Sequence, residues 1–254
     1  MDNKVITPQS LKSRISGSID VYCFDSIDST NSEARRMLKS GASGRLLITA
    51  REQTAGRGRQ GKSFYSPADT GIYMSLVLMP DSFPSELLSA TTAAAAAVCA
   101  SIEKLSGKHP MIKWVNDIYL DGKKICGILT EAVTKPDGRV GALIIGIGIN
   151  ISTVLFPDDL TNAGSLGEDI PYSELICEIV NTLCSEKYSR FSGFIDYYRK
   201  RSLLIGREIT FIKNNISTPA LAVGIDDTGG LIVRLSDGSE ATLTGGEISI
   251  RQRD

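Results

Sequence analysis

Apolar residues recur along this chain in short β-branched runs, RLLITA, GIYMSLVL, MIKWVNDIYL, KICGILTEAV and RVGALIIGIGINI, set apart by turn-forming residues. Runs of this length predict strands, and the Asp-Gly pairs at Asp121 and Asp137 predict hairpins, hence a largely antiparallel or mixed sheet. Helical spacing interrupts the strand pattern in three places. NSEARRMLKSG follows DSTN, where Thr30 and Glu33 have the spacing of a capping box and Gly41 ends the segment. SELLSATTAAAAAVCASIEKLSG predicts a helix from Ser85 as N-cap to Gly107, and its small side chains predict close packing on a sheet. A third helix is predicted between Ser173 and Ser202, with an interruption near Gly193.

From Gly206 onward the texture changes to short alternating strands with DDTGG and SDGS turns and no helix, ending in GGEISIR. The reading is an α+β fold, a central mixed or antiparallel sheet flanked by helices over 1–204, followed by a small β-barrel module over 205–254.

Composition narrows the class. A chain of 254 residues with 42% apolar content can bury a sizeable core, and 28 basic against 29 acidic residues leave no global field to recruit DNA or an anionic membrane. The five cysteines, Cys23, Cys99, Cys126, Cys177 and Cys184, form no CxxC pair and argue for a reducing cytoplasm. No apolar stretch is long enough to span a membrane. His109 is the sole histidine, which argues against a Ser-His-Asp triad or a multi-histidine metal site and leaves carboxylates, lysine, arginine and backbone amides to do any chemistry.

The candidate chemistry concentrates in GRGRQGKS at Gly56–Ser63, which matches both a P-loop and a GxGxxG dinucleotide fingerprint. Each needs a helix directly after the glycines to receive phosphates on its N-terminus. FYSPADTG follows instead, with Pro67 and Gly71 against a helix and the strand IYMSLVL next, so both readings fail on context. A strand, a glycine-rich loop with Arg57, Arg59 and Lys62, and another strand remain: a local anion trap or a solvated hairpin tip. Four further segments weigh on that choice. Ser29, Thr30 and Asn31 gather polar groups at a helix start, and Gln53 precedes the loop. Asn116 and Asp117 lie near a strand that a hairpin return brings toward Lys124, and Asn150 ends the strand GIGIN.

Taken in order, DSTN, QTAGRGRQGKSFYSP, KWVNDIYLDGKKICGILTE and GIGINI resemble the catalytic domain of biotin protein ligases over residues 20 to 151, and GGEISIR extends the resemblance to their C-terminal SH3-like domain. The resemblance implies the biotin–lipoate ligase catalytic fold, similar to class II aminoacyl-tRNA synthetases. It implies two half-reactions: biotin and Mg2+-ATP give biotinyl-5′-AMP, and the acyl group then passes to a lysine of a biotin carboxyl carrier protein domain. Ser29, Thr30, Asn31 and Gln53 then face the ureido ring, whose polar edge needs paired donors and acceptors. Gly56, Arg57, Gly58 and Arg59 close over biotin and its adenylate, while Gly127 and Gly146 to Gly148 admit it close to the backbone. Lys124 meets the biotin carboxyl, and Asp117 orients the acceptor lysine or takes its proton. Arg59, Lys62, Phe64, Asn116, Asn150 and Arg251 face ATP or the adenylate, with magnesium arriving on the nucleotide near Asn150. Trp114 offers apolar surface to biotin.

The resemblance also implies pairing into homodimers, and because only about twenty residues precede the catalytic segment, no DNA-binding repressor role is expected. Two departures stand out: Val115 replaces a usual proline in KWVND, loosening that turn, and Gln60 replaces a usual base. Two alternatives differ in chemistry: a lipoate or octanoyl ligase of the same fold, and a sensor that binds biotin without transferring it.

Overall fold

The structure, a computed structural model, describes residues 6–79, 87–167, 170–185, 193–213 and 216–250. A seven-stranded sheet holds β1 (Asp20–Ile27), β2 (Leu46–Gln53), β3 (Gly71–Leu78), β4 (Met111–Lys113), β5 (Asp117–Leu120), β6 (Lys123–Thr134) and β7 (Val140–Asn150). The strand order is β1-β2-β3-β7-β6-β5-β4. Only the β1–β2 pair is parallel; all other neighbours run antiparallel. The helices are α1 (Pro8–Lys12), α2 (Thr30–Lys39), α3 (Leu87–Ser106), α4 (Tyr172–Leu183) and α5 (Ile195–Lys200). A second, fully antiparallel sheet follows, with β8 (Glu208–Lys213), β9 (Ile216–Ile225), β10 (Leu231–Arg234), β11 (Glu240–Leu243) and β12 (Glu247–Ile250) in the order β11-β10-β9-β8-β12.

Period-two alternation sorts the core onto the two faces of the large sheet. Leu47, Met74, Leu76, Leu143, Ile145, Ile147 and Ile149 join the main core with α3 and α4. Leu46, Ile48, Val77, Ala142 and Ile144 form a smaller cluster with Ala34 of α2 on the opposite face. Ala93–Ala97 of α3 are completely buried, as their small side chains foretold, and α3 packs on β6, α4 and α5. Gly107 ends α3 with φ +69 and Gly41 follows α2 with φ +93, both left-handed positions that suit glycine. Ser85, the expected N-cap of α3, lies outside the described residues.

Several expectations need correction. MIKWVNDIYL is two strands, β4 and β5, joined by the turn Trp114–Asn116. Asp20–Ile27 is a further strand, not expected from the apolar runs because its own pattern is broken by Asp25 and Ser26. The third helical segment, by contrast, gives α4 and α5 with α5 starting just after the expected interruption near Gly193; 186–192 lie outside the described residues. The capping box does not form: Ser29 is the N-cap of α2, with no side-chain cap bond, because the Thr30 hydroxyl is engaged by Gln53 and Ser75 instead. At Val115 the turn is tied down by its neighbours. The Val115 side chain is buried, its carbonyl accepts from the Tyr198 hydroxyl at 3.1 Å, and the Trp114–Val115 peptide is cis.

Candidate active site

On the α2 side of the sheet the apolar stripe stops where glycines begin. The register places Ser75, Gly146 and Leu129 in one cross-strand row, and Tyr73, Gly148, Gly127 and Asp117 in the next. Side chains that would fill this face in an ordinary sheet are missing at three positions, and a cavity of about 500 Å³ opens above them. The Asn31 side chain lies directly on Gly146, where any Cβ would collide with it. The Phe64 ring lies over the other two glycines; a Cβ on Gly148 would come within 2.5 Å of it and one on Gly127 within 3.2 Å.

One wall is a connected polar group. Gln53 Oε1 accepts from the Thr30 N–H at 2.9 Å and from its hydroxyl at 3.2 Å, while Gln53 Nε2 donates to Ser66 at 2.9 Å. The hydroxyl of fully buried Ser75 donates to Asn31 Oδ1 at 2.6 Å and lies 2.8 Å from the Thr30 hydroxyl. Ser29, Thr30 and Asn31 are each at most 3% exposed, yet all three line the cavity. Asp28 anchors this wall from behind. It accepts the Ser29 N–H at 2.7 Å and a forked pair from Arg36 at 2.7 and 2.9 Å, and the Arg36 guanidinium pulls its carboxyl down to about 2.

The opposite wall carries charge. Lys124 Nζ lies 2.7 Å from Asp117 Oδ1. The β5–β6 pairing slips between Ile118 and Tyr119, so that Ile125 turns into the core and Lys124 swings onto the face of Asp117. Asn116 Nδ2 donates to Asp117 at 3.0 Å and Asn116 Oδ1 accepts from Arg59 at 2.9 Å, giving an unbroken path Arg59–Asn116–Asp117–Lys124.

The glycine-rich segment joins β2 to β3 with no α-helix, only a short turn at Arg59–Gly61. It is a narrow ribbon, closed by Gly58 N to Lys62 O at 2.7 Å and Phe64 N to Gly56 O at 2.9 Å, with Gln60 at φ 54 and Gly61 at φ 77 at its tip. Arg57, Gly58, Arg59, Lys62 and Phe64 line the cavity; Gly56 does not, being closed against the Phe64 carbonyl and Ser66 at the ribbon's base. The Arg57 guanidinium turns to Glu131, 3.2 Å from each of its oxygens.

Ser29, Thr30, Asn31, Gln53, Phe64, Trp114, Asn116, Asp117, Lys124, Gly127 and Gly146 therefore share one cavity with the ribbon. Asn150 is not in its lining: it is buried, donates to the Gly164 carbonyl at 3.0 Å, and its Oδ1 has no hydrogen-bond partner among the described residues. Arg251 lies outside the described residues. Sequence reasoning missed Lys113, Asp159, Gly246 and Ile248 in the lining, and Ser75 and Glu131 behind it. Ser75 carried a legible signal, a lone polar residue in the buried run GIYMSLVL.

Among the described residues no group of three His, Cys, Asp or Glu side chains is placed to hold a metal, and no helix is long and apolar enough to cross a membrane. All five cysteines are free.

Comparison with known proteins gives the following likenesses. The profile of the Biotin/lipoate A/B protein ligase family matches residues 23–150, and that of the Biotin protein ligase C terminal domain matches 204–251. The bifunctional ligase/repressor BirA of Bacillus subtilis (strain 168) is 36% identical over 241 residues, covering 90% of this chain and 73% of that protein. The biotin–[acetyl-CoA-carboxylase] ligase of Paracoccus denitrificans is 30% identical over 228 residues, covering 82% and 91%. In fold, the chain is similar to the biotin protein ligase of Aquifex aeolicus in complex with biotin and ATP, with a TM-score of 0.76 at 24% identity over 92% of this chain and 99% of that one.

Proposed function

Because the chain belongs to the biotin/lipoate A/B protein ligase family, we propose that it is a biotin protein ligase that joins biotin to ATP as biotinyl-5′-AMP and passes the biotinyl group to a carrier lysine. The observation that carries this reading is the cavity's two unlike walls: a neutral polar wall suited to the ureido ring faces a charged path suited to the carboxylate and phosphate, across a floor of bare backbone.

In the first half-reaction the biotin carboxylate attacks the α-phosphorus of ATP and pyrophosphate leaves. Two anions must meet, so cations have to offset their repulsion and hold them in line. Lys124 is paired with Asp117 until the substrate carboxylate takes that place; Arg59 and Lys62 lie on the ribbon side for the phosphates. Magnesium, which substrate phosphates commonly hold, would be brought by the nucleotide as MgATP and would offset phosphate charge there. The ribbon then shields the mixed anhydride from water.

In the second half-reaction the carrier amine attacks the acyl carbonyl, the C–O bond to AMP breaks, and the amine loses a proton. Lys124 supports the oxyanion, and Asp117, 2.7 Å from Lys124, receives that proton.

We assign 1–204 to the catalytic unit and 205–254 to the C-terminal unit, for which the five-strand antiparallel order supports an SH3-like barrel. The free cysteines support a reducing cytoplasm, and β1, an edge strand of the large sheet among the described residues, offers a surface for homodimers.

The test is incubation with labelled biotin, MgATP and an apo carrier domain, with a parallel arm containing lipoate. Label on the carrier from biotin alone is expected; binding without transfer makes the protein a sensor, and transfer of lipoate overturns the substrate. Asp117→Asn should slow single-turnover transfer from purified adenylate by ~10²-fold or more; an unchanged rate removes Asp117 from proton transfer.

A further inference from the structure

Glu131 lies on β6 behind the cavity, its side chain only 16% exposed, and it gathers three donors from two separate elements. Asn31 Nδ2 donates to Glu131 Oε2 at 2.8 Å, Arg35 reaches Oε1 at 3.0 Å, and Arg57 of the ribbon reaches both oxygens at 3.2 Å. From these contacts we propose that Glu131 is a positioning residue that couples the ribbon to the ureido-facing wall. The inference rests on the reading of the cavity as a biotin site.

Two consequences of the chemistry carry it. An ionised carboxylate only accepts, and so does the Leu129 carbonyl, which takes the second Asn31 N–H at 3.2 Å. Both amide hydrogens of Asn31 are thereby spent, and its orientation is forced. All it can offer a ligand is the remaining lone pair of Oδ1, so Asn31 is an acceptor for a ligand N–H, never a donor. The second consequence concerns the ribbon. Arg57 was expected to close over biotin and its adenylate; its guanidinium is turned onto Glu131, which it shares with Arg35, and it works as the post that holds the ribbon down over the cavity. The phosphate-facing cations are then Arg59 and Lys62.

The test compares wild type with Glu131→Gln, Arg57→Ala and the double variant, reading the KM for biotin, kcat, the rate of adenylate escape to bystander lysines, and the melting temperature. A glutamine keeps the shape but turns its NH2 toward Arg57 in either orientation, and with it toward Asn31 or toward Arg35. Losing a charge-assisted bond of this kind is expected to raise the biotin KM and adenylate escape about tenfold each, with kcat for transfer from supplied adenylate changed less than about twofold. Arg57→Ala, a change on a half-exposed ribbon side chain, should raise escape similarly and move the biotin KM in the same direction, and the double variant should exceed the worse single one in neither. Additive escape, or a biotin KM unmoved by Glu131→Gln in a well-folded protein, overturns the coupling. If Glu131→Gln folds poorly, additive escape in an Arg57→Ala, Glu131→Asp pair serves the same purpose. A wild-type protein that labels no carrier would instead overturn the functional reading itself.

Discussion

Single residues in this site are constrained by what lies on top of them. Gly146 is tied to Asn31 and not to helix or turn geometry, because its backbone lies in an ordinary strand and only the contact forbids a side chain. Gly146→Ala should cost about 1–3 kcal/mol of stability and displace Asn31, so that biotin no longer raises the melting temperature while the fold persists. Asp28 gives the wall its acid limit. Its carboxyl is held near 2 in the folded protein against 3.8 ordinarily, so its stabilising effect is complete above about 4 and is lost as the pH falls through about 2. Biotin-dependent thermal protection should therefore persist down to about pH 4 and fade below it, whereas Asp28→Asn should lose part of that protection at neutral pH.

At the level of elements, the ribbon between β2 and β3 is a closed hairpin whose inner face carries Arg59 against Asn116. Arg59→Gly removes that anchor and should release adenylate, labelling bystander lysines several-fold above wild type while carrier labelling continues; bystander labelling at the wild-type level would mean that the ribbon does not enclose the intermediate. Much at this scale was legible in the sequence. Short apolar runs and Asp-Gly turns located β2, β3, β6 and β7, and the absence of a helix after Gly61 disposed of both phosphate-loop readings. What stayed illegible depended on register. The meeting of Lys124 with Asp117 was legible from the hairpin between them, but the row that sets Gly127 against Gly148 and the reach of Glu131 to Arg57 arise from pairings between segments separated in the chain, which local patterns do not encode. Thr30 shows the converse error: its spacing to Glu33 satisfied a local rule that a tertiary contact with Gln53 overrode.

At the scale of the whole molecule, the turn Asp226–Gly230 of the second sheet is one place where that sheet meets the helices and the Trp114 turn of the first. Gly229 accepts the Trp114 indole N–H at 2.8 Å, the Thr228 carbonyl accepts from Ser89 of α3 at 2.9 Å, and Arg199 of α5 donates to Ile225 O and reaches Asp227. Gly229 has φ +92 and sits so close to Thr92 that a Cβ would come within 2.8 Å of it. Gly229→Ala should therefore cost about 1–3 kcal/mol, lower the melting temperature, and shift the emission of Trp114, the protein's single tryptophan, to the red. An unshifted spectrum would mean that the indole is held by its own unit. Since Trp114 lines the cavity while its polar end is fastened to that turn, a wall of the site has joint ownership. Chimeras that exchange the small unit between relatives should then keep their catalytic competence only when the donor brings a turn that fits the recipient's tryptophan, so the two units are swappable as a matched set and not as independent modules.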